Sequence, residues 1–263
     1  MIAALPMYDW PELRAATDGW WAGLARHLRA AGVGDVPDAL RRDLEPAAVW
    51  EHPGLLLAQT CGLPLVRRYG DRLRVVATPC YAAEGCIGPT YRSAIVVRAD
   101  SRIASVAAAA GAVVAFNSTD SLSGHLALRL ALADVPLVGA LETGSHAASL
   151  EALHRRRADL CAVDCVSWAI ARRHRPSLTE GVRVIGWSPP MPALPYVTRV
   201  DRPIQPLRAA LAVACADPAL AGARAALLLD GFAAADMDAY AVVLEADRTA
   251  PPLAIAASAN SPS

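Results

Sequence analysis

Two short stretches concentrate the groups of this chain that could hold a ligand: Asn117-Ser-Thr-Asp-Ser-Leu-Ser-Gly124-His125 and Glu142-Thr-Gly-Ser-His146-Ala-Ala-Ser149. Hydroxyls, an amide, an imidazole and glycine N–H groups are neutral donors. Such donors suit an anion, because each hydrogen bond to an ion is charge-assisted. Each stretch follows an apolar run, residues 112–116 or 136–141, and each leads into a helix-like segment, residues 126–133 or 147–157. A strand that empties through a Ser/Gly loop into a helix start sets unpartnered N–H groups and the positive end of the helix dipole beside the loop. The chemistry implied is the grip of a small anion.

Hydrophobic periodicity predicts the elements that position these loops. Residues 2–5 read as a strand. Residues 11–31 carry helix-spaced Leu13, Trp20, Trp21, Leu24 and Leu28 and stop at Gly32. Further strands are expected at 55–59, 73–77 and 92–98, with a short helix reaching about Tyr69. From residue 112 the alternation of strand, loop and helix is regular through 136–141, 160–163 and 182–187, the signature of a parallel, doubly wound sheet. Pro189, Pro190, Pro192 and Pro195 interrupt any helix before an extended run at 196–199. Residues 206–246 read as helices separated near Asp217-Pro218 and Gly231, and 254–263 as a weakly structured end.

In open α/β sheets ligands sit outside the carboxyl ends of the strands. The residues that follow the expected strands are Met7-Tyr8-Asp9, Thr60-Cys61-Gly62, Cys80-Tyr81, Asn117 to Gly124, Thr143 to His146, Asp164 and Trp187-Ser188. They are the chain's polar and aromatic functional groups, expected to gather at one sheet edge.

Bulk composition narrows the function classes. The 263 residues can bury a large core or form two lobes, and a formal net charge of zero offers no field for nucleic acid. The start Met1-Ile-Ala-Ala-Leu-Pro6 lacks the charged, apolar and small-residue segments of a signal peptide. The longest bland apolar run, 104–116, is too short to span a bilayer. The expected location is therefore cytoplasmic as written, or periplasmic if a leader was trimmed, with no direct membrane insertion. Six cysteines without tight pair spacing read as reduced thiols, not as a disulfide framework or a zinc site. No cofactor motif is present.

Several stretches together resemble the phosphate/phosphite/phosphonate substrate-binding proteins of ABC transporters, in the broad PhnD/SsuA/transferrin-like group: Leu5-Pro-Met-Tyr8-Asp9, Gln59-Thr-Cys-Gly-Leu-Pro64, Gly85-Cys-Ile-Gly-Pro-Thr-Tyr91-Arg-Ser93, Asn117 through His125, Gly144-Ser-His146-Ala-Ala-Ser149, Ala158-Asp159 through Asp164-Cys165, and Leu227-Leu-Leu-Asp-Gly-Phe232. The resemblance implies an α/β, two-lobe type II periplasmic-binding-protein fold, each lobe a mostly parallel sheet flanked by helices. Two crossover strands, at 92–98 and 196–199, would join residues 1–92 plus 199–263 as lobe one to residues 93–198 as lobe two. It further implies a non-catalytic binding protein for a small tetrahedral oxyanion, with an ABC permease as partner if the chain is exported. Oxyanion contacts would fall on Ser121, Ser123, Gly124, Ser145 and His146, with Asn117 and Asp164 nearby and the aromatic rings of Tyr8 and Tyr91 facing the ligand. Carboxylates that hold an ammonium group in relatives align with Val166 and Leu194, which argues against an amine-bearing ligand. Without a leader, a sensing or sequestering role competes with transport.

Each residue also has a plain structural reading. Ser121 or Ser123 caps a helix, Asn117 forms a turn, Asp164 either accepts a ligand proton or caps the helix at Cys165, and Tyr8 packs on Trp10. His125 is expected to point into its lobe, and His27, His52, His154 and His174 to lie on the surface. Two alternatives compete with binding of an oxyanion. One is an enzyme on the same fold, pyrimidine-synthase-like or chorismate-dehydratase-like, using Asp164 with His146, or Cys61. The other is a ferric-ion protein using Tyr8, Tyr91, His146 and Asp164.

Overall fold

The computed structural model of the chain describes residues 1–255. The chain divides into two compact units: Met1–Thr90 with Pro192–Leu244, and Tyr91–Met191 with the segment beginning at Glu245. Each unit holds its own five-stranded sheet.

The first unit forms on the helix Arg14–Ala30, preceded by a 3₁₀ turn at Pro11–Leu13. Its apolar residues recur on one face, and Trp20, Trp21, Leu24 and Leu28 are fully buried. Gly32 ends the helix at φ +80, where Val33 N–H donates to Leu28 O at 3.0 Å and Gly32 N–H to Arg29 O at 3.0 Å. That pairing is the Schellman cap, which needs a residue free to take the left-handed conformation. Trp20 donates its indole N–H to the Tyr196 hydroxyl at 3.1 Å and stacks on Phe232 at 6.0 Å, so the largest side chain of the core is also hydrogen-bonded.

The sheet behind this helix is mixed. Ile2–Ala4 lies parallel to Leu55–Gln59, while Tyr196–Arg199 runs antiparallel between Leu55–Gln59 and Leu73–Tyr81. Two expectations need correction here. The strand expected at 73–77 runs on to Tyr81, and the apparent break at Gly231 is a strand, Leu229–Ala233, paired antiparallel with its far end. Pro79 and Gly231 are poor strand formers in isolation; the ladder that sets Gly231 opposite Cys80 and Phe232 opposite Pro79 supplies the missing stability.

Close packing on the helix yields a first prediction. A Cβ on Gly23 would lie 2.2 Å from Leu220 Cδ2, while one on Gly19 meets nothing nearer than Ala223 Cβ at 3.9 Å. Gly23→Val is expected to destabilise the protein by about 1–3 kcal/mol through overpacking. Gly19→Ala is expected to be neutral or to stabilise by about 0.5–1 kcal/mol through helix propensity. Urea denaturation of the two variants checks the contrast; equal midpoints would contradict it.

In the second unit the strand order is Gly139–Glu142, Val113–Phe116, Leu160–Asp164, Ser93–Arg98, Val182–Trp187. One core cluster gathers Ile95, Val97, Val114, Phe116 and Leu160 from one face of the sheet, with Leu128, Leu132 and Leu137 packed among them. The strand expected at 136–141 begins only at Gly139. The preceding residues are engaged elsewhere: Pro136 O accepts from Gly111 N–H at 2.8 Å, and Leu137 N–H donates to Ala254 O at 2.8 Å. Of the weakly structured end expected at 254–263, Ala254 and Ile255 lie against Leu137, Ile255 as an isolated parallel bridge, and the rest falls outside the described residues. Arg129 fixes the segment before it, donating to the Asp247 carboxylate at 2.7 Å and to the carbonyls of Asp247 and Pro251 at 2.9 and 3.1 Å. Among the described residues no single helix is long and apolar enough to cross a membrane.

Candidate functional site

Val113–Phe116 is parallel to both Gly139–Glu142 and Leu160–Asp164. Val182–Trp187 shares their direction, because it and Leu160–Asp164 both lie antiparallel to Ser93–Arg98. Four carboxyl ends therefore reach one edge of the second unit's sheet, and the polar loops start there. Ser93 stands at the same edge opposite Asp164; it donates its N–H to Ser188 Oγ at 2.9 Å and accepts from Ser188 N–H at 2.8 Å.

Three side chains cap three helix starts at that edge. Ser121 Oγ accepts from Gly124 N–H at 2.9 Å, Ser145 Oγ from Ala148 N–H at 3.1 Å, and Asp164 Oδ1 from Ser167 N–H at 2.8 Å. The helix expected at 126–133 in fact begins with a wide turn at Leu122–Leu126, in which Leu126 N–H reaches back to Ser121 O at 3.0 Å, and it continues as Ala127–Ala131. Single π-type turns of this kind recur at functional sites because they loosen the backbone pattern where a ligand approaches.

Gly124 is sterically required in this turn. A Cβ there would fall 1.9 Å from Asn117 Oδ1, an oxygen that is itself buried and has no hydrogen-bond partner among the described residues. The first two loops are also stitched together. Thr143 N–H donates to Phe116 O at 2.9 Å, Gly144 N–H to Asn117 O at 2.8 Å, and the Thr143 and Ser149 hydroxyls meet at 2.7 Å.

His146 brings the three loops to one point. Its Nε2 lies 2.9 Å from Ser123 Oγ and 3.3 Å from Asp164 Oδ2. Ser121, Ser123 and Asp164 are all buried. Burial holds the His146 pKa below the ordinary histidine value, against the Asp164 carboxylate and the Ala162 carbonyl, which both favour the charged form. The set has the composition of a Ser–His–Asp triad but not its arrangement. In a working triad the carboxylate holds one ring nitrogen while the other accepts the serine proton. Here hydroxyl and carboxylate share a single nitrogen, and which of them His146 Nε2 accepts from or donates to depends on its tautomer.

Asn117, Ser121, Ser123, Gly124, His146 and Asp164 thus share one network. Tyr91 is buried and lines a crevice with Arg92, Ser93, Leu122, Ser123 and Ser188. Ser145 is exposed, with its hydroxyl committed to the cap. Tyr8 lies in the first unit, edge-on to Tyr81 at 5.3 Å and beside Gln59 and Tyr196. Sequence reasoning missed Ser93, which hides inside a β-branched run; Ser188 was visible as a strand end. The surface reading is corrected for His27, which is half-buried with Nε2 2.8 Å from Asp217 Oδ2, and holds for His154, which is exposed with Nε2 3.0 Å from Leu178 O. The His125 ring packs on Phe116 at 4.9 Å. All six cysteines are free thiols. Among the described residues no cluster of three or more His, Cys, Asp or Glu is placed to hold a metal ion.

Comparison with known proteins adds a second line of observation. The family profile described as ABC transporter, phosphonate, periplasmic substrate-binding protein matches residues 57–240. The fold is similar to that of PhnD1 from Prochlorococcus marinus solved with methylphosphonate, at TM-score 0.75 and 19% identity, covering 94% of this chain and 96% of that one. It is also similar to a binding-protein component of an ABC phosphonate transporter from Pseudomonas aeruginosa, at TM-score 0.74 and 17% identity, covering 94% and 85%. A Xanthomonas citri protein solved with ATP matches at TM-score 0.69 and 18% identity, covering 95% and 99%. Among curated proteins none matches the sequence.

Proposed function

Since the chain belongs to the periplasmic substrate-binding proteins of phosphonate ABC transporters, we propose that it binds a small tetrahedral oxyanion (phosphonate, phosphite or phosphate) on the loop cluster of its second unit. The observation that carries this reading is the buried Ser121–Gly124 turn, with its Ser123 hydroxyl held 2.9 Å from His146 Nε2. With His146 donating, the Ser123 oxygen is an acceptor inside the protein, and its own O–H is left to donate outward. A desolvated hydroxyl at a helix start is a seat for oxyanion oxygens. Val166, buried and apolar in the second unit, favours a ligand without an ammonium group. Family membership favours delivery of the ligand to a permease over a sensing role.

Thermal-shift screening and calorimetry with methylphosphonate, phosphite, phosphate and sulfate test the reading. At least one of the phosphorus oxyanions is expected to raise the melting temperature. Ser123→Ala is expected to lose one charge-assisted hydrogen bond, about 1.5–3 kcal/mol, or roughly ten- to hundredfold in Kd. No stabilisation by any oxyanion, or a Ser123→Ala variant that binds like the parent, would defeat the proposal.

A further inference from the structure

We infer that oxyanion binding at these loops draws one proton from solvent onto His146, so that ligand and proton are taken up together. This rests on the reading of the loops as the binding site. The geometry is the first support. One ring nitrogen, Nε2, faces a carboxylate oxygen at 3.3 Å and a hydroxyl at 2.9 Å. A proton on that nitrogen satisfies both, and it frees the Ser123 O–H for the ligand. The empty site, with a neutral imidazole beside a carboxylate, carries a net negative charge where an anion must land. Protonating the imidazole cancels that charge.

The surroundings leave His146 as the group that can respond. The elements packed on its helix are Leu160–Asp164, Val113–Phe116, Ser93–Arg98 and Pro176–Thr179, and the Leu122–Leu126 turn packs on the first of these. Val113–Phe116 and Pro176–Thr179 carry no titratable side chain. Leu160–Asp164 carries Asp164 and Cys161, and burial drives the Cys161 thiol far up, so it stays protonated. Arg98, at the opposite end of its strand, donates to Ala158 O at 2.9 Å and pairs with Asp159 at 3.6 Å. His125 on the turn packs on Phe116, and Glu142, which precedes the second loop, accepts from Thr119 N–H at 3.4 Å. Glu151 and His154 sit further along the helix that His146 starts.

Two effects keep the empty site's imidazole neutral: burial, and the helix N-terminus on which it stands. A bound oxyanion acts in the opposite direction, since a nearby negative charge favours the cation. Proton uptake accordingly falls in the window between the depressed empty-site pKa and the raised occupied-site pKa. The sign follows from linkage: affinity is highest at the acid end, falls by up to about tenfold per pH unit through the window, and is flat on either side.

The test uses calorimetry of the whole chain with methylphosphonate at fixed pH in buffers of different ionisation enthalpy, repeated across pH. Close to one proton is expected to enter per ligand near neutrality, and ¹⁵N spectra of the imidazole are expected to move to the imidazolium pattern on binding. His146→Gln, which keeps a donor but cannot titrate, is expected to bind more weakly and to lose the proton uptake. Binding without proton uptake overturns the inference while leaving the proposed function intact. Uptake that persists in His146→Gln also overturns it, because the proton then rides on the ligand. Should His146→Gln not bind, the ¹⁵N spectra of the parent decide: an imidazole that stays neutral in the complex overturns the inference. If no phosphonate, phosphite or phosphate binds the parent at all, the function itself fails, a distinct result.

Discussion

Gly124→Ala is expected to abolish measurable oxyanion binding while leaving the protein folded. The added Cβ would sit 1.9 Å from Asn117 Oδ1, 3.0 Å from Asn117 Cγ and 3.1 Å from Ser121 Oγ. The first distance is impossible, so the Asn117 amide must leave its buried position. The amide has to swing out of a corner that also holds Ser121 Oγ, beside the Asn117 backbone carbonyl that accepts from Gly144 N–H at 2.8 Å and ties the first loop to the second. Moving it disturbs the turn that orients Ser123 and the segment that presents His146. Losing two charge-assisted contacts at about 1.5 kcal/mol or more each corresponds to a loss in Kd of roughly a hundredfold or greater. Overpacking should cost only about 1–3 kcal/mol of stability. Calorimetry with methylphosphonate, alongside far-ultraviolet circular dichroism, reads the two effects separately. Gly144→Ala is the comparison: its φ of +89 makes any side chain strained, yet nothing stands within 4 Å of the new Cβ, so stability should fall with a smaller loss of affinity. A Gly124→Ala protein that binds as tightly as the parent would show that the turn is not the ligand's seat.

The requirement for Gly124 was not legible in the sequence, although the loop was. A polar stretch between an apolar run and a helix start is a local pattern, and local patterns survive translation into structure. Ser121, Ser145 and Asp164 accordingly emerge as the caps of their helices, each spaced three residues from the N–H it receives. What brings Ser123 and Asp164 to one nitrogen of His146 is strand register: Ser93 opposite Asp164 and Phe116 opposite Glu142. Register is set by pairings between distant segments, which no window of sequence contains. The same reason explains Leu229–Ala233. Its glycine and flanking alanine-rich segments read as a helix break until Leu73–Tyr81 pairs with it. The wide turn at Leu122–Leu126 is a third case. Gly124 weakens α geometry there, but that the turn widens and sets Gly124 against Asn117 is visible only in the folded chain.

Arg129→Met should be the most destabilising of these substitutions, for a reason that joins the tail to the binding loops. Arg129 and Asp247 form an ion pair at 2.7 Å with side chains only 12% and 13% exposed, and the same guanidinium also donates to the carbonyls of Asp247, Ala250 and Pro251. Removing the cation takes the ion-pair partner from a mostly buried carboxylate and leaves several carbonyls to find water. Breaking such a pair from one side costs about 3–5 kcal/mol, or roughly 6–20 °C in melting temperature at a few degrees per kcal/mol. Methionine keeps most of the apolar stem, so the loss reports the polar contacts and not a cavity. Arg248→Ala is the control, since its side chain is 72% exposed and its contact to Glu245 spans 3.9 Å; it should shift the transition by less than about 1 kcal/mol. The consequence extends beyond stability. The tail that Arg129 anchors accepts Leu137 N–H on Ala254 O at 2.8 Å, just ahead of the Gly139–Glu142 strand that delivers the His146 loop. Hydrogen exchange of the 137–142 amides should therefore quicken in Arg129→Met and stay unchanged in Arg248→Ala. If the two variants melt and exchange alike, the anchoring role assigned to Arg129 is wrong. If Arg129→Met melts early but residues 137–142 keep their protection, the tail stabilises the second unit without supporting the strand that carries the site.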